Sequence, residues 1–313
     1  MASGCGEFEQ WILEIHKFQR EQNPVYRDFC AGFPDPVSWK DIPAVPVSAF
    51  KTADLRSFSE EKTIRTFETS GTTGGQPGRH HFCSLSLYLQ SAVRGWINAG
   101  IPAGGVVSLI SHASDAPASS LSQMASWLAP KSRCYFNRRE ELMEWLLISP
   151  RTVLFGTALA FLDLFLWMGN QRLTLPAGSF AVETGGYKGT RRELPKSDLY
   201  LLFHDRLGLE ADSVWNEYGM TELSSQFYTS GIGKPHLSPP WARGVVLDPM
   251  SGTEVADGET GILRLFDAAN LGSVCAIQTR DLAIRRGADF ELIGRDPAAL
   301  PRGCSLAADE LLS

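Results

Sequence analysis

The residues best suited to chemistry begin with Thr69-Ser70-Gly71-Thr72-Thr73-Gly74-Gly75, a run of hydroxyls and glycines. Glycines let a backbone approach a ligand closely, and hydroxyls and amides donate to phosphate oxygens, so such a turn can cradle a triphosphate. It is not a Walker loop, because Gly78-Arg79-His80 replaces the Gly-Lys-Ser/Thr ending, leaving Arg79 to supply positive charge. An anonymous Ser/Thr/Gly cluster is more readily a surface turn. A second group is Asn216-Glu217-Tyr218-Gly219-Met220-Thr221-Glu222, which places an aromatic ring, a hydroxyl and a carboxylate in close succession. Alone, its glutamate is as well read as a helix cap or a solvated side chain. Three further strings have equally plain readings by themselves: Glu183-Thr184-Gly185-Gly186-Tyr187-Lys188, Gln278-Thr279-Arg280-Asp281-Leu282 and Ile293-Gly294-Arg295-Asp296.

The elements that must position these strings follow from periodicity. Residues 8–29 carry apolar positions on a helical face, and the proline-rich stretch 33–47 reads as an extended connector. The hydroxyl-rich turn opens onto a helix at 84–98, a geometry suited to phosphate. Strand and helix then alternate: strand 105–111, helix 119–128, strand 152–155, helix 158–168, strand 179–183, helix 196–207 and strand 213–217. That order predicts an α/β layered core with ligands gathered at strand ends. From residue 244 the pattern changes to short strands at 244–247, 261–266, 274–279 and 290–293, separated by Asp, Gly and Asn turns. The expected division is therefore a core of 1–243 and a small β lobe of 244–313.

In this order the strings resemble the signature motifs of the adenylate-forming superfamily, which contains acyl-CoA synthetases, luciferases and peptide-synthetase adenylation domains. The resemblance runs across about two thirds of the chain. It implies an ATP-phosphate loop at Thr69, Ser70, Gly71, Thr72, Thr73 and Gly74. Tyr218 would stack on adenine beside Gly219, Thr221 would contact the α-phosphate, and Glu222 would help hold Mg²⁺. The residue types suit these roles, since a hard cation takes a carboxylate plus phosphate oxygens and an adenine face takes an aromatic plane. Asp281 would accept from the ribose hydroxyls, although Arg280 stands where the family has glycine. Arg295 would also reach the ribose, and Gly185, Gly186 and Tyr187 would lie beside adenine. Asp41-Ile42-Pro43-Ala44-Val45-Pro46-Val47-Ser48-Ala49-Phe50-Lys51, the Gly-Gly-Tyr-Lys string and Arg302-Gly303-Cys304-Ser305-Leu306 narrow the resemblance to the LuxE-like acyl-protein synthetases.

The implied fold is the large domain of that superfamily: layered α/β subdomains, a smaller distorted β-barrel lobe, and no mobile C-terminal domain. The implied reaction activates a carboxylic acid, fatty or otherwise, as acyl-AMP with release of pyrophosphate. The acyl group would then pass to a thiol, either Cys304 or one on a carrier or reductase partner. Without the lysine of the missing domain, Glu222, Thr221, the hydroxyl turn and Arg79 or Lys188 must balance charge at the α-phosphate, which implies a slow enzyme or one completed by a partner. The acid is expected between residues 158–168 and the 111–123 loop, where Phe161, Leu162, Phe165, Ser119 and Ser120 line a slot or, as readily, pack as core.

Composition bounds these readings. A chain of 313 residues with 43% hydrophobic and 20% charged residues is globular, and a net charge of −6 gives no basic field for nucleic acid. The six cysteines have no Cys-x-x-Cys or zinc-like spacing, which fits reduced thiols in the cytoplasm. The start, Met1 to Gln10, has no signal-peptide pattern. The most apolar stretch, 152–168, is interrupted by Gly156 and Asp163 and falls short of the ~20 residues of a membrane span. Oligomeric state is left open. Two other classes compete: a catalytically silent nucleotide- or acyl-binding subunit that regulates a partner enzyme, and a kinase or GTPase, which the absent Walker lysine disfavours.

Overall fold

The computed structural model describes residues 3–69, 76–102, 104–185 and 194–295. In chain order its elements are α1 (Ser3–Gln22), α2 (Pro24–Cys30), β1 (Val45–Pro46), β2 (Arg65–Glu68), β3 (Arg79–Phe82), α3 (Ser86–Asn98), β4 (Val106–Ser108), α4 (Ser120–Leu128), α5 (Arg139–Ile148) and β5 (Val153–Thr157). There follow α6 (Ala158–Met168), β6 (Phe180–Thr184), α7 (Lys196–Leu207), β7 (Val214–Tyr218), β8 (Phe227–Ser230), β9 (Ala242–Leu247), β10 (Thr260–Asp267), β11 (Ala276–Arg286) and β12 (Asp289–Arg295). The chain forms two compact units, both discontinuous in sequence, where the sequence reading cuts the chain once at residue 243. The first unit is 1–91, 221–225 and 235–313; the second is 92–220 and 226–234.

The second unit holds the α/β core. Its sheet runs β4-β5-β6-β7-β8, parallel except for β8, which returns antiparallel on β7. Helix α6 starts where Thr157 caps it, its side chain accepting from Ala160 N at 3.0 Å. Helix α7 ends at Gly208, whose φ of +65° is the left-handed cap that glycine adopts without strain. Both helices span the residues their apolar pattern predicts. They pack one face of the sheet through Phe161 and Phe165, whose ring centroids lie 4.7 and 5.0 Å from that of Phe203. Gly156 on β5 is required there, because a Cβ would come 3.0 Å from Phe161 and 3.1 Å from Leu109. Helix α5 and strand β8 are additions that periodicity did not reveal.

The first unit is built on the sheet β1-β11-β10-β9, with β12 also on β11. Antiparallel pairs join β9, β10, β11 and β12. Phe290 of β12 stands where a Cβ on Gly244 of β9 would be, so the outer strands come against each other and the lobe curls toward a barrel. The connector at 33–47 ends in β1, which adds to β11 in parallel, Val45 opposite Ile277. The single helix expected over 8–29 is two helices. Asn23 breaks it, its side chain accepting from Tyr26 N at 3.0 Å, and Pro24 takes the first helical position, where no amide hydrogen is needed. Phe8 and Ile12 of α1 pack on Val245, Phe266 and Ala276 of the lobe.

Candidate active site

In the first unit, β2 and β3 form a hairpin that brings the two ends of the hydroxyl-rich turn together. Thr69 N donates to Gly78 O at 2.9 Å, and Gly78 N donates to Thr69 Oγ1 at 2.8 Å. A Cβ on Gly78 would press on Thr69 Cγ2 at 3.2 Å, so the turn is pinched at its base. Ser70, Gly71, Thr72, Thr73 and Gly74 lie outside the described residues. Arg79 is exposed, opposite Glu68 in the hairpin register.

The neighbouring His80 ties this hairpin to the second motif. Its Nδ1 donates to Thr221 O at 2.8 Å, a contact between residues 141 apart in sequence. Burial pushes the imidazole down to about 4, with the Thr221 carbonyl partly opposing, so the ring is neutral at physiological pH. Glu222 is 6% exposed. The backbone around it is fixed from β10 and the loop that follows. Asn270 Nδ2 donates to Glu222 O and Val274 O, both at 2.9 Å. Asp267 accepts from Ser224 N at 2.9 Å, Ser225 Oγ at 2.6 Å and Ala269 N at 2.9 Å. Burial raises Asp267 to about 6 against these donors.

The third motif is a bulge. Between the register pairs Ile262 with Leu282 and Arg264 with Gln278, three residues of β11, Thr279, Arg280 and Asp281, stand against Leu263 alone. Thr279 Oγ1 donates to Leu263 O at 2.6 Å and accepts from Asp281 N at 3.1 Å, which holds the irregularity in place. A bulge re-aims a side chain, and here its last residue is Asp281, buried at 6% exposure. Arg280 is an exposed strand residue. Among the described residues Asn137 is the non-glycine with positive φ, so position 280 demands no glycine. Arg295 is the register partner of Asp281 across β12, bringing the third and fourth motifs side by side.

The second unit carries the remaining candidates at the carboxyl ends of parallel strands. Gly185, with φ of +65°, begins the glycine pair just past β6; Gly186 and Tyr187 lie outside the described residues. Tyr218 ends β7, buried, its ring centroid 6.2 Å from that of Phe227, and Gly219 follows. Two buried carboxyls, Glu183 and Glu217, stand at these same strand ends. Sequence reading passed over them, along with His80, Asp267 and Asn270. The available signal was an acid closing each apolar strand, Phe-Ala-Val-Glu-Thr and Val-Trp-Asn-Glu-Tyr.

Two other expectations resolve differently. Phe161, Leu162 and Phe165 do not form a slot with Ser119 and Ser120: they are buried in packed core, and the Ser119 side chain accepts from Ser122 N as the cap of α4. Helical periodicity cannot tell a pocket-lining face from a core-facing one. Cys304 lies outside the described residues. Within the first unit a cavity of about 290 Å³ is walled by His80, Phe82, Leu87, Ser224 and Asn270, of which His80 and Asn270 also hold the 221–225 loop. Among the described residues no group of three or more His, Cys, Asp or Glu side chains could hold a metal. A lone carboxylate at Glu222 fits a Mg²⁺ ion carried mainly by substrate phosphates, the usual way that ion is held.

Comparison with known proteins bears on this arrangement. No family model matches the chain. The long-chain-fatty-acid–luciferin-component ligase of Aliivibrio fischeri is 22% identical over 333 residues, covering 96% of this chain and 87% of the relative. A 2-hydroxyisobutyryl-CoA ligase solved with 2-HIB-AMP superposes with a TM-score of 0.69 at 16% identity over 91% of this chain. ATP-bound MatB from Rhodopseudomonas palustris superposes at 0.54 and 17% identity over 74%. The chain spans about two thirds and about half of those two structures' lengths, at 66% and 48%. Fold and motif order thus define the class: this chain has the large-domain fold of the adenylate-forming enzymes and resembles them in motif order. Within it, the chain is similar along nearly its whole length to the LuxE-like acyl-protein synthetases.

Proposed function

We propose that the chain binds ATP with Mg²⁺ and activates a carboxylic acid, in the first instance a fatty acid, as its acyl-AMP. The observation that carries this reading is the His80 bond: it fastens the hairpin holding the hydroxyl turn to the segment holding Thr221 and Glu222. A carboxylate oxygen of the acid attacks the α-phosphorus, the bond to pyrophosphate breaks, and a mixed anhydride with AMP remains. Hydroxyls of the 69–73 turn and Thr221 then face the charge that builds on the phosphates, with Arg79 as the adjacent cation. Mg²⁺ on Glu222 supplies charge neutralisation when bound. Tyr218, Gly219, Gly185, Gly186 and Tyr187 bind the base, and Asp281 and Arg295 bind the ribose. The fatty substrate follows from the similarity to the Aliivibrio relative, a long-chain-fatty-acid ligase.

In the second step a thiolate attacks the acyl carbonyl, forming a thioester and releasing AMP. The acceptor is Cys304 or a thiol on a carrier or reductase partner. A cytoplasmic setting is supported by Cys30 and Cys275, which are free thiols buried in the fold. None of the described helices is long and apolar enough to cross a membrane.

Exchange of labelled pyrophosphate into ATP, driven by acids of increasing chain length, tests the first step. Exchange with at least one acid is expected. ATP binding by calorimetry with no exchange and no AMP release would instead indicate a silent regulatory subunit. For the second step, Cys304→Ser is expected to keep exchange and lose self-acylation; loss of both together would contradict Cys304 as acceptor.

A further inference from the structure

Within the second unit a pair of buried carboxyls stands where the proposed chemistry gives them no task. Parallel pairing of β6 with β7 sets Glu183 opposite Asn216 and Thr184 opposite Glu217. Successive side chains alternate between faces, so the two pairs occupy opposite faces of the sheet at its carboxyl end. Glu183 is well supplied: it accepts from Asn216 Nδ2 at 2.8 Å and Tyr200 OH at 3.4 Å, and Lys196 Nζ lies 3.7 Å away. Glu217 is supplied more sparingly, with the Thr184 hydroxyl as its donor among the described residues. Its Oε1 fills the space that a Cβ on Gly219 would need.

One side chain on β7 therefore touches both places that the nucleotide reading requires. It grips Thr184, immediately before Gly185, and it seats against Gly219, immediately after Tyr218. We propose that Glu217 is a positioning residue, a latch that holds the glycine end of β6 and the Tyr218–Gly219 turn as one body for the base of ATP; this rests on the adenylation reading above. Glycine at 219 follows from the latch, since any larger residue displaces the carboxyl.

The latch also has a charge state. Burial raises Glu217 to about 7, Thr184 opposing and Glu183 adding to the rise. Burial raises Glu183 likewise to about 7, with Lys196 and Asn216 opposing. The titratable groups around Glu217 are Glu183 on β6 and Tyr228, its register partner on β8, while Lys196 and Tyr200 of α7 reach Glu183 on the other face. An ionised carboxylate with a single donor is poorly compensated out of water, whereas the acid form is not. The latch is closed by a proton and loosens as that proton leaves.

The test uses the full chain with Glu217→Ala, Glu217→Gln, Thr184→Val and the double variant Glu217→Ala/Thr184→Val. Glu217→Ala is expected to raise KM for ATP in pyrophosphate exchange roughly tenfold with a much smaller change in kcat, and Glu217→Gln to restore it. Wild-type KM should rise between pH 6 and 8, and Glu217→Gln should flatten that rise. Thr184→Val, which leaves the carboxyl in place, serves if Glu217→Ala does not fold, and the double variant should be non-additive. Hydrogen exchange by mass spectrometry gives a readout independent of ATP: peptides covering 180–185 and 214–220 should loosen together in Glu217→Ala and tighten again in Glu217→Gln. Unchanged exchange protection, or loss of kcat with KM intact, overturns the latch. Coupled loosening in a protein that binds no ATP overturns the nucleotide role while retaining the mechanical one.

Discussion

The segment from Tyr218 to Ser225 is held at its two ends in opposite ways. At the 221–225 end, Asp267 accepts from two backbone amides and a hydroxyl, and Asn270 and His80 tie down the carbonyls of Glu222 and Thr221. At the Tyr218 end, Glu217 has the Thr184 hydroxyl. Both carboxyls are buried, and burial lifts both by a similar amount, Asp267 to about 6 and Glu217 to about 7. Donor number makes the difference in geometry: the carboxyl held by two amides and a hydroxyl is a fixed post, and the one with a single donor among the described residues is the proposed latch. The fixed post stands behind the residues proposed to meet phosphate and metal, where catalysis would demand preorganised geometry. The latch stands behind the residues proposed to bind the base, where give would cost binding rather than chemistry.

The largest effect should come from the fixed end. Glu222→Ala is expected to abolish pyrophosphate exchange, and Asp281→Ala to do so nearly as completely, while both variants retain the wild-type melting profile. Retained exchange in either would break the assignment of that end to phosphate, metal and ribose. Next in size is the post itself. Asp267→Ala strands several buried donors and should cost about 3–5 kcal/mol of stability by chemical denaturation. A loss below about 1 kcal/mol would mean that the 221–225 loop does not depend on it.

The latch sharpens the comparison through pH. Glu183 and Glu217 hold their protons more tightly folded than unfolded, so the stability they give is complete below about pH 4.5 and is lost as pH rises through about 7. His80, held down to about 4, works in the other direction, adding stability as pH rises from about 4 to 6.5. Comparing wild type with Glu217→Gln at each pH removes the histidine contribution. The variant should gain on the wild type between pH 5 and 8 by an amount on the order of 3 kcal/mol at most. A flat difference would show that Glu217 titrates normally. The smallest effect is expected at Arg280→Gly. An exposed strand residue loses side chain and gains backbone freedom there, about 1 kcal/mol of stability, with exchange activity unchanged.

Much of this molecule is legible along the chain. Helices α6 and α7 occupy the residues their apolar spacing dictates, because side-chain period and capping are local and Thr157 and Gly208 mark an end of each. The motif strings likewise point to the proposed chemistry, since hydroxyls, glycines and carboxylates in a fixed order constrain what can bind. Misreadings share a cause. Phe161 and Phe165 read equally as pocket or core until Phe203 covers them. The hairpin β2–β3 is short and lacks clean alternation, with histidines at 80 and 81.

What tertiary structure alone decided is which distant residues share a dielectric and a donor. Sequence placed an acid at 183 and another at 217; only the parallel register of β6 with β7 set each against its partner and took both from water. The same holds for His80 with Thr221, for Asp267 with Ser224, and for the bulge that turns Asp281 in β11. Local periodicity repeats within a few residues, so a sequence displays it directly. Register, burial and the protonation they impose arise from segments far apart in the chain, and they exist only once the sheet has closed.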